Sequence, residues 1–169
     1  ADDHLGLMDH LGIRKFFFMG YCIGGCFAGK LLQRAPERVA AAVFCQTVGH
    51  RPEDPEVLIR HSEQNWIPEF RKRRPDVSTE TIEKYMDSLW RVQPDFLYSV
   101  SRDFVRSCQT PVLVLPDDSP PHPYVVAMES VMLAPKSEVS LFPWKEPKER
   151  IPLAVRQTRS FLRAHRPAA

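Results

Sequence analysis

The chain has 169 residues, 43% of them hydrophobic and 26% charged, with 23 Lys and Arg against 21 Asp and Glu for a formal net charge of +2. That suffices for one domain with a real core and is too polar for a membrane protein, since no apolar stretch approaches a spanning length. Balanced charge gives no overall drive toward nucleic acid or anionic lipid, and the one basic cluster, Arg71 to Arg74, reads as a solvated helix end. Four cysteines, at 22, 26, 45 and 108, make neither a disulfide framework nor paired zinc knuckles. No metal site is expected, and a reduced, cytoplasmic setting is. The start has no basic, apolar leader and no initiator Met, which leads us to expect a chain excised, processed or cut short relative to its gene product.

In chain order, Asp2 to Leu11 suits a short helix stopped at Gly12. Phe16 to Met19 is apolar on both faces, as an interior strand of a parallel sheet is. Tyr21 to Arg34 reads as a sharp turn and a helix, with Ile23, Phe27 and Leu31 on one stripe and Pro36 at its end. Val39 to Cys45 is the next buried strand, so residues 15 to 45 form one βαβ unit.

From Gln46 to Gln109 only helical periodicity remains, rich in Pro, Arg, Glu and aromatics. Ser78 or Thr79 caps a helix with apolar positions 82, 85, 86, 89 and 90, and a second helix after Pro94 would space Phe96, Val100 and Phe104 by four. Residues 47–108 are thus expected to be a helical cap or lid inserted into a core of 1–46 and 109–169. Some of its aromatics would line a substrate pocket, and more would hold the cap together. Thr110 to Leu115 is another buried strand, followed by the loop Pro116 to Pro123. Val125 to Leu133 is a helix, Glu138 to Phe142 a strand nearer the sheet edge, and Ile151 to His165 a closing amphipathic helix.

The chemistry gathers at Gly20-Tyr-Cys-Ile-Gly-Gly25. Reversal from strand to helix strains the backbone at Cys22 and crowds its neighbours, and glycines at 20 and 24 would relieve that crowding. The N–H of Ile23, at the mouth of the helix, would point at the same space as the Cys22 sulfur and hold an oxyanion. A dinucleotide-binding reading fails, because these glycines do not spell G-x-G-x-x-G and no acidic residue ends the following strand.

This G-x-nucleophile-x-G turn between strand and helix, with residues 110 to 123 in the manner of an acid-bearing strand and loop, resembles the carboxy-terminal part of an α/β-hydrolase. The elbow is most similar to the dienelactone hydrolases, which use a Cys-His-Asp triad, and the remainder to the esterase, haloperoxidase-like and carbon–carbon hydrolase branch. The resemblance implies a parallel sheet with helices on both faces, Cys22 as nucleophile and Ile23 as oxyanion donor. It also implies a small acyl substrate (an ester, thioester or lactone) and no cofactor. Alignment on the loop's last proline puts Ser119 at the acid position, so Asp118 is the expected acid and Asp117 the spare. The family's histidine follows the last strand, where Phe142-Pro-Trp-Lys-Glu-Pro147 has none, which leaves His122 as the expected base. The alternative is a catalytically impaired module that binds a ligand or partner. The family's first strands are also missing, so another polypeptide, the amino-terminal portion or a second copy, is expected to cover the apolar edge at Phe16 to Phe18.

Overall fold

The computed structural model describes residues 1–167. Four parallel strands, β1 (Phe16–Tyr21), β2 (Val39–Cys45), β3 (Val112–Leu115) and β4 (Ser137–Val139), lie in the order in which they occur in the chain. Side chains alternate across the sheet. Ala42, Phe44, Val112 and Val114 face one way, into a core with Ala28, Leu31 and Leu32 of α2 (Ile23–Arg34) and Val126 and Ala127 of α7 (Tyr124–Leu133). Ala41, Val43, Cys45, Leu113 and Leu115 face the other way, onto Ala154 and Phe161 of α8 (Ile151–Ala164). Burial on both faces is why β2 and β3 read as unbroken apolar runs.

β1 differs. Its residues have the apolar character of an interior strand, and with no earlier strand to pair with it lies, as expected, at an edge, paired only with β2. Its Phe16 and Phe18 pack on the α2 side, behind α1 (Asp2–His10), while Phe17, Met19 and Tyr21, level with Ala41, Val43 and Cys45 on the α8 side, are 37%, 55% and 57% exposed. The helix that buries this face over β2 and β3 does not reach β1.

Between β2 and β3 the chain is helical: α3 (Val57–Asn65), α4 (Ile67–Arg73), α5 (Thr79–Trp90) and α6 (Arg102–Ser107). Ser78 caps α5 by accepting from the Thr81 N–H at 3.2 Å. Packing divides the segment that the sequence grouped as one insertion. Val57, Leu58, Ile67, Ile82, Met86 and Trp90 form a separate cluster, whereas Phe96, Leu97, Val100, Val105 and Cys108 belong to the core of the sheet. The helix expected right after Pro94 does not form. Phe96 and Tyr98 adopt positive φ (46° and 58°), which an α-helix cannot contain, and α6 starts only after Ser101 caps it.

No helix among the described residues is long and apolar enough to cross a membrane.

Candidate active site

The carboxyl ends of the strands carry the polar chemistry, as crevices at that edge of an open parallel sheet do. β1 delivers Cys22. Its N–H continues the ladder by donating to the Cys45 carbonyl at 2.9 Å, and its backbone then turns to φ 56°, ψ −120° before α2 begins. The left-handed conformation costs a non-glycine residue of order 1–3 kcal/mol and points to function. It persists because its neighbours permit it. A Cβ on Gly20 would sit 2.0 Å from the Gly24 carbonyl oxygen, and one on Gly25 would sit 2.1 Å from Thr47 Oγ1. Gly24 has open space around the same position, so the crowding is relieved at 20 and 25.

Half-buried Cys22 forms part of a cavity of about 590 Å³ with Ile23, Val48, Leu58, Trp66, Phe70 and others from α3, α4 and α5. Of the aromatics in the helical segment, Trp66, Phe70, Tyr85 and Trp90 line it, Tyr98 packs in the same cluster as Trp90, and Phe96 and Phe104 pack with the sheet. Trp66 stands edge-on to both Phe70 and Tyr85, with centroids 6.2 and 6.1 Å away, in the arrangement aromatic quadrupoles favour. Burial pushes the Cys22 thiol up from its ordinary pKa, and the hydrogen bond from the Ile23 N–H, which acts in the opposite direction, does not compensate. No imidazole contributes to that balance. The other cysteines are buried and free, and Cys45 is pushed up to about 11 by burial, which outweighs the Lys145 charge.

β2 and β3 end in a second, polar constellation. The side chain of Asp118, the acid expected from the sequence, is exposed and makes no hydrogen bond or ion pair among the described residues; the buried carboxylate is that of Asp117. Its Oδ2 accepts from Gln46 Nε2 at 2.9 Å and from Ser119 Oγ at 3.0 Å and lies 3.3 Å from His122 Nδ1, and its Oδ1 lies 3.0 Å from Lys145 Nζ. The strand's apolar alternation continues through Pro116 and turns the first aspartate inward, a register that alignment on a distant proline cannot fix. The loop then closes on itself: Ser119 and His122 exchange two backbone hydrogen bonds (3.2 and 2.9 Å) around Pro120 and Pro121.

Because the Ser119 hydroxyl donates to Asp117, it accepts from His122 Nδ1 at 2.9 Å, which puts the proton on Nδ1 and the lone pair on Nε2, an atom with no hydrogen-bond partner among the described residues. Burial lowers the His122 pKa, and Asp117 only partly offsets this. Burial would raise the Asp117 pKa, but the Lys145 and Ser119 hydrogen bonds prevail and hold it below the usual carboxylate value.

Lys145 was not anticipated. It occupies the segment after the last strand, where a histidine was sought, and Trp144 anchors that segment by donating from Nε1 to the Pro116 carbonyl at 2.9 Å. His122, Asp117 and Lys145 line a cavity of about 490 Å³ next to the first. The two cavities have only His61 and Pro121 in common. The structure therefore brings Cys22 and Ile23 to one cavity and His122 to its neighbour. No periodicity in the sequence marks the place of His61 at the junction. Among the described residues no group of three or more His, Cys, Asp or Glu is placed to hold a metal ion.

The alpha/beta hydrolase fold family model matches residues 1–85. No curated protein matches the chain. Among solved structures, it is similar to a meta-cleavage product hydrolase from Pseudomonas fluorescens IP01 (16% identity, TM-score 0.65, covering 96% of this chain and 70% of that one). It is also similar to a thermophilic esterase from Thermogutta terrifontis (23%, 0.58, 98% and 71%) and to naproxen esterase from Bacillus subtilis (20%, 0.56, 93% and 63%). At these identities the likeness is one of fold.

Proposed function

Because the chain belongs to the alpha/beta hydrolase family, we propose that it hydrolyses an ester, thioester or lactone with an apolar acyl group, through Cys22 and an acyl-enzyme. The observation that carries this reading is the strained backbone of Cys22, φ 56°, on the wall of an aromatic cavity large enough for such a group. The Cys22 sulfur attacks the carbonyl carbon, and the Ile23 N–H holds the oxygen as it becomes an anion. His122, oriented by Ser119 and Asp117, takes up the thiol proton and later activates water from the polar cavity, with Asp117 rather than Asp118 as its acid. No cofactor enters this scheme. The helices α3 to α5 act as a cap that selects the acyl group.

The reading is tested by a burst of p-nitrophenol from the phenylacetate ester. The expected burst is stoichiometric with protein and absent in Cys22→Ala, and loss of His122 lowers the rate on the order of 10²-fold or more. No burst at any pH up to 10 overturns it. The second reading, a binding module with an impaired elbow, is favoured by the raised Cys22 thiol and by Lys145 at the histidine's place. It is supported if apolar carboxylic acids bind the cavity while activated esters leave Cys22 unmodified.

Two further parts of the proposal concern setting and partner. Four free cysteines support a cytoplasmic location. The exposed Phe17, Met19 and Tyr21 on an unpaired edge support a covering polypeptide, and sedimentation of the chain as a monomer at high concentration would remove that part.

A further inference from the structure

We propose that His61, carried by the cap, donates a hydrogen bond from Nε2 to the carbonyl oxygen of a substrate held at Cys22, and so completes the oxyanion site that the Ile23 N–H begins. The inference rests on the preceding reading in taking Cys22 as the nucleophile.

The position comes first. His61 lines the Cys22 cavity and, with Pro121, forms its junction with the polar cavity. Of the cavity's other polar side chains, Ser62 donates to the Leu58 carbonyl at 2.7 Å and Thr81 Oγ1 pairs with Ser78 Oγ at 2.9 Å. Trp90 also lines it, and its Nε1 has no hydrogen-bond partner among the described residues.

The protonation of the ring comes next. Asn65 Nδ2 lies 2.7 Å from the His61 carbonyl oxygen and 3.3 Å from His61 Nδ1. A carbonyl only accepts, so the atom facing it is the amide nitrogen, and the second amide N–H goes to Nδ1. Nδ1 is thereby an acceptor, and the neutral ring carries its proton on Nε2. His122 is the reverse, donating from Nδ1 to Ser119 and keeping its lone pair on Nε2. The two imidazoles beside the junction thus hold opposite tautomers, one fit to accept a proton and one fit to donate a hydrogen bond. Acyl transfer needs both; at the elbow the Ile23 N–H acts on the Cys22 thiol, while the Gly25 and Val48 N–H groups are taken up by the Cys22 carbonyl at 3.1 and 3.4 Å.

The test uses the full chain with ¹⁵N-labelled histidine and 3-phenylpropanal as probe. The Cys22 sulfur adds to the aldehyde carbon, forming an S–C bond as the C=O π bond opens, and the thiol proton ends on the oxygen. The product is a hemithioacetal, with no leaving group. We expect the His61 ring, assigned by its loss in His61→Gln, to show its proton on Nε2 and to shift when the adduct forms, with no shift in Cys22→Ala. His61→Leu, which has no donor, should raise the Kd of the aldehyde on the order of 10²-fold, the effect of one oxyanion donor. Asn65→Asp, whose carboxylate draws the ring proton to Nδ1, should weaken it in the same direction. A proton found on Nδ1, or an adduct equally tight in His61→Leu, overturns the proposal and leaves the hydrolase reading standing. Failure of the aldehyde to add to Cys22 overturns both.

Discussion

The elbow at residues 20–25 and the polar constellation around Asp117 carry equal chemical weight and are built on different physics. The elbow is mostly local: a Cβ at residue 20 would meet the carbonyl of Gly24, four residues on, and only the room left at Gly25 for Thr47 comes from outside the six consecutive residues. The constellation is assembled from Gln46, Asp117, Ser119, His122 and Lys145, up to 99 positions apart, and only the pairing of β2, β3 and β4 side by side brings them together. A motif of the first kind is read from sequence; one of the second kind is read from a fold.

The sharpest way to break that contrast is Gly20→Ala. Its added methyl carbon meets the Gly24 carbonyl oxygen at 2.0 Å with no flexible side chain to yield, so a loss of about 3 kcal/mol is expected in urea unfolding, the upper end of overpacking costs. Gly24→Ala, with open space inside α2, should be neutral or gain up to ~1 kcal/mol from helix propensity. Equal losses at 20 and 24 would mean the elbow is not held by this clash.

The constellation should respond next. Asp117→Asn removes the carboxylate that faces Lys145 and His122 and should cost about 2 kcal/mol, in the range for hydrogen bonds to charged groups. Asp118→Asn, at the surface, should change stability by less than ~0.5 kcal/mol. The reverse order would restore the acid assignment suggested by alignment.

A smaller effect comes from acid. His122 is held below its ordinary value, so as pH falls below ~6.5 the unfolded chain binds a proton that the folded one refuses, and stability drops. Asp117, held below the usual carboxylate value, adds a second decline as pH falls through its folded value, below ~4. His122→Gln should flatten the upper step of the unfolding midpoint against pH and leave the lower one. The smallest effect concerns the elbow alone: iodoacetamide labelling of Cys22 should rise with pH along a curve displaced to the alkaline side of a free thiol, because burial outweighs the Ile23 N–H. A curve displaced toward acid would show that an imbalance favouring thiolate exists after all.

Most of the layered core was legible. The runs at 39–45 and 112–115 announce strands buried on both faces, and the 3.6-residue stripe of α2 announces the helix between them. The open edge at β1 was legible too, from the strands that the resemblance expects and the sequence lacks. Two things were hidden. The positive φ at Phe96 and Tyr98 overrides a spacing of four that looked helical, because those rings are recruited by two different clusters. Within the candidate site, the strained turn at Cys22 could be read, whereas the burial of Asp117, the arrival of Lys145 and the placing of His61 each depend on a contact between distant segments.

The Asp117 carboxylate has one further consequence. Through four partners it fastens the end of β2, the loop after β3 and the turn after β4 to a single point. Three segments tied at one knot cannot fray independently. Amide exchange in them should therefore be released in a single opening event, while the unpaired margin at β1 breathes on its own schedule.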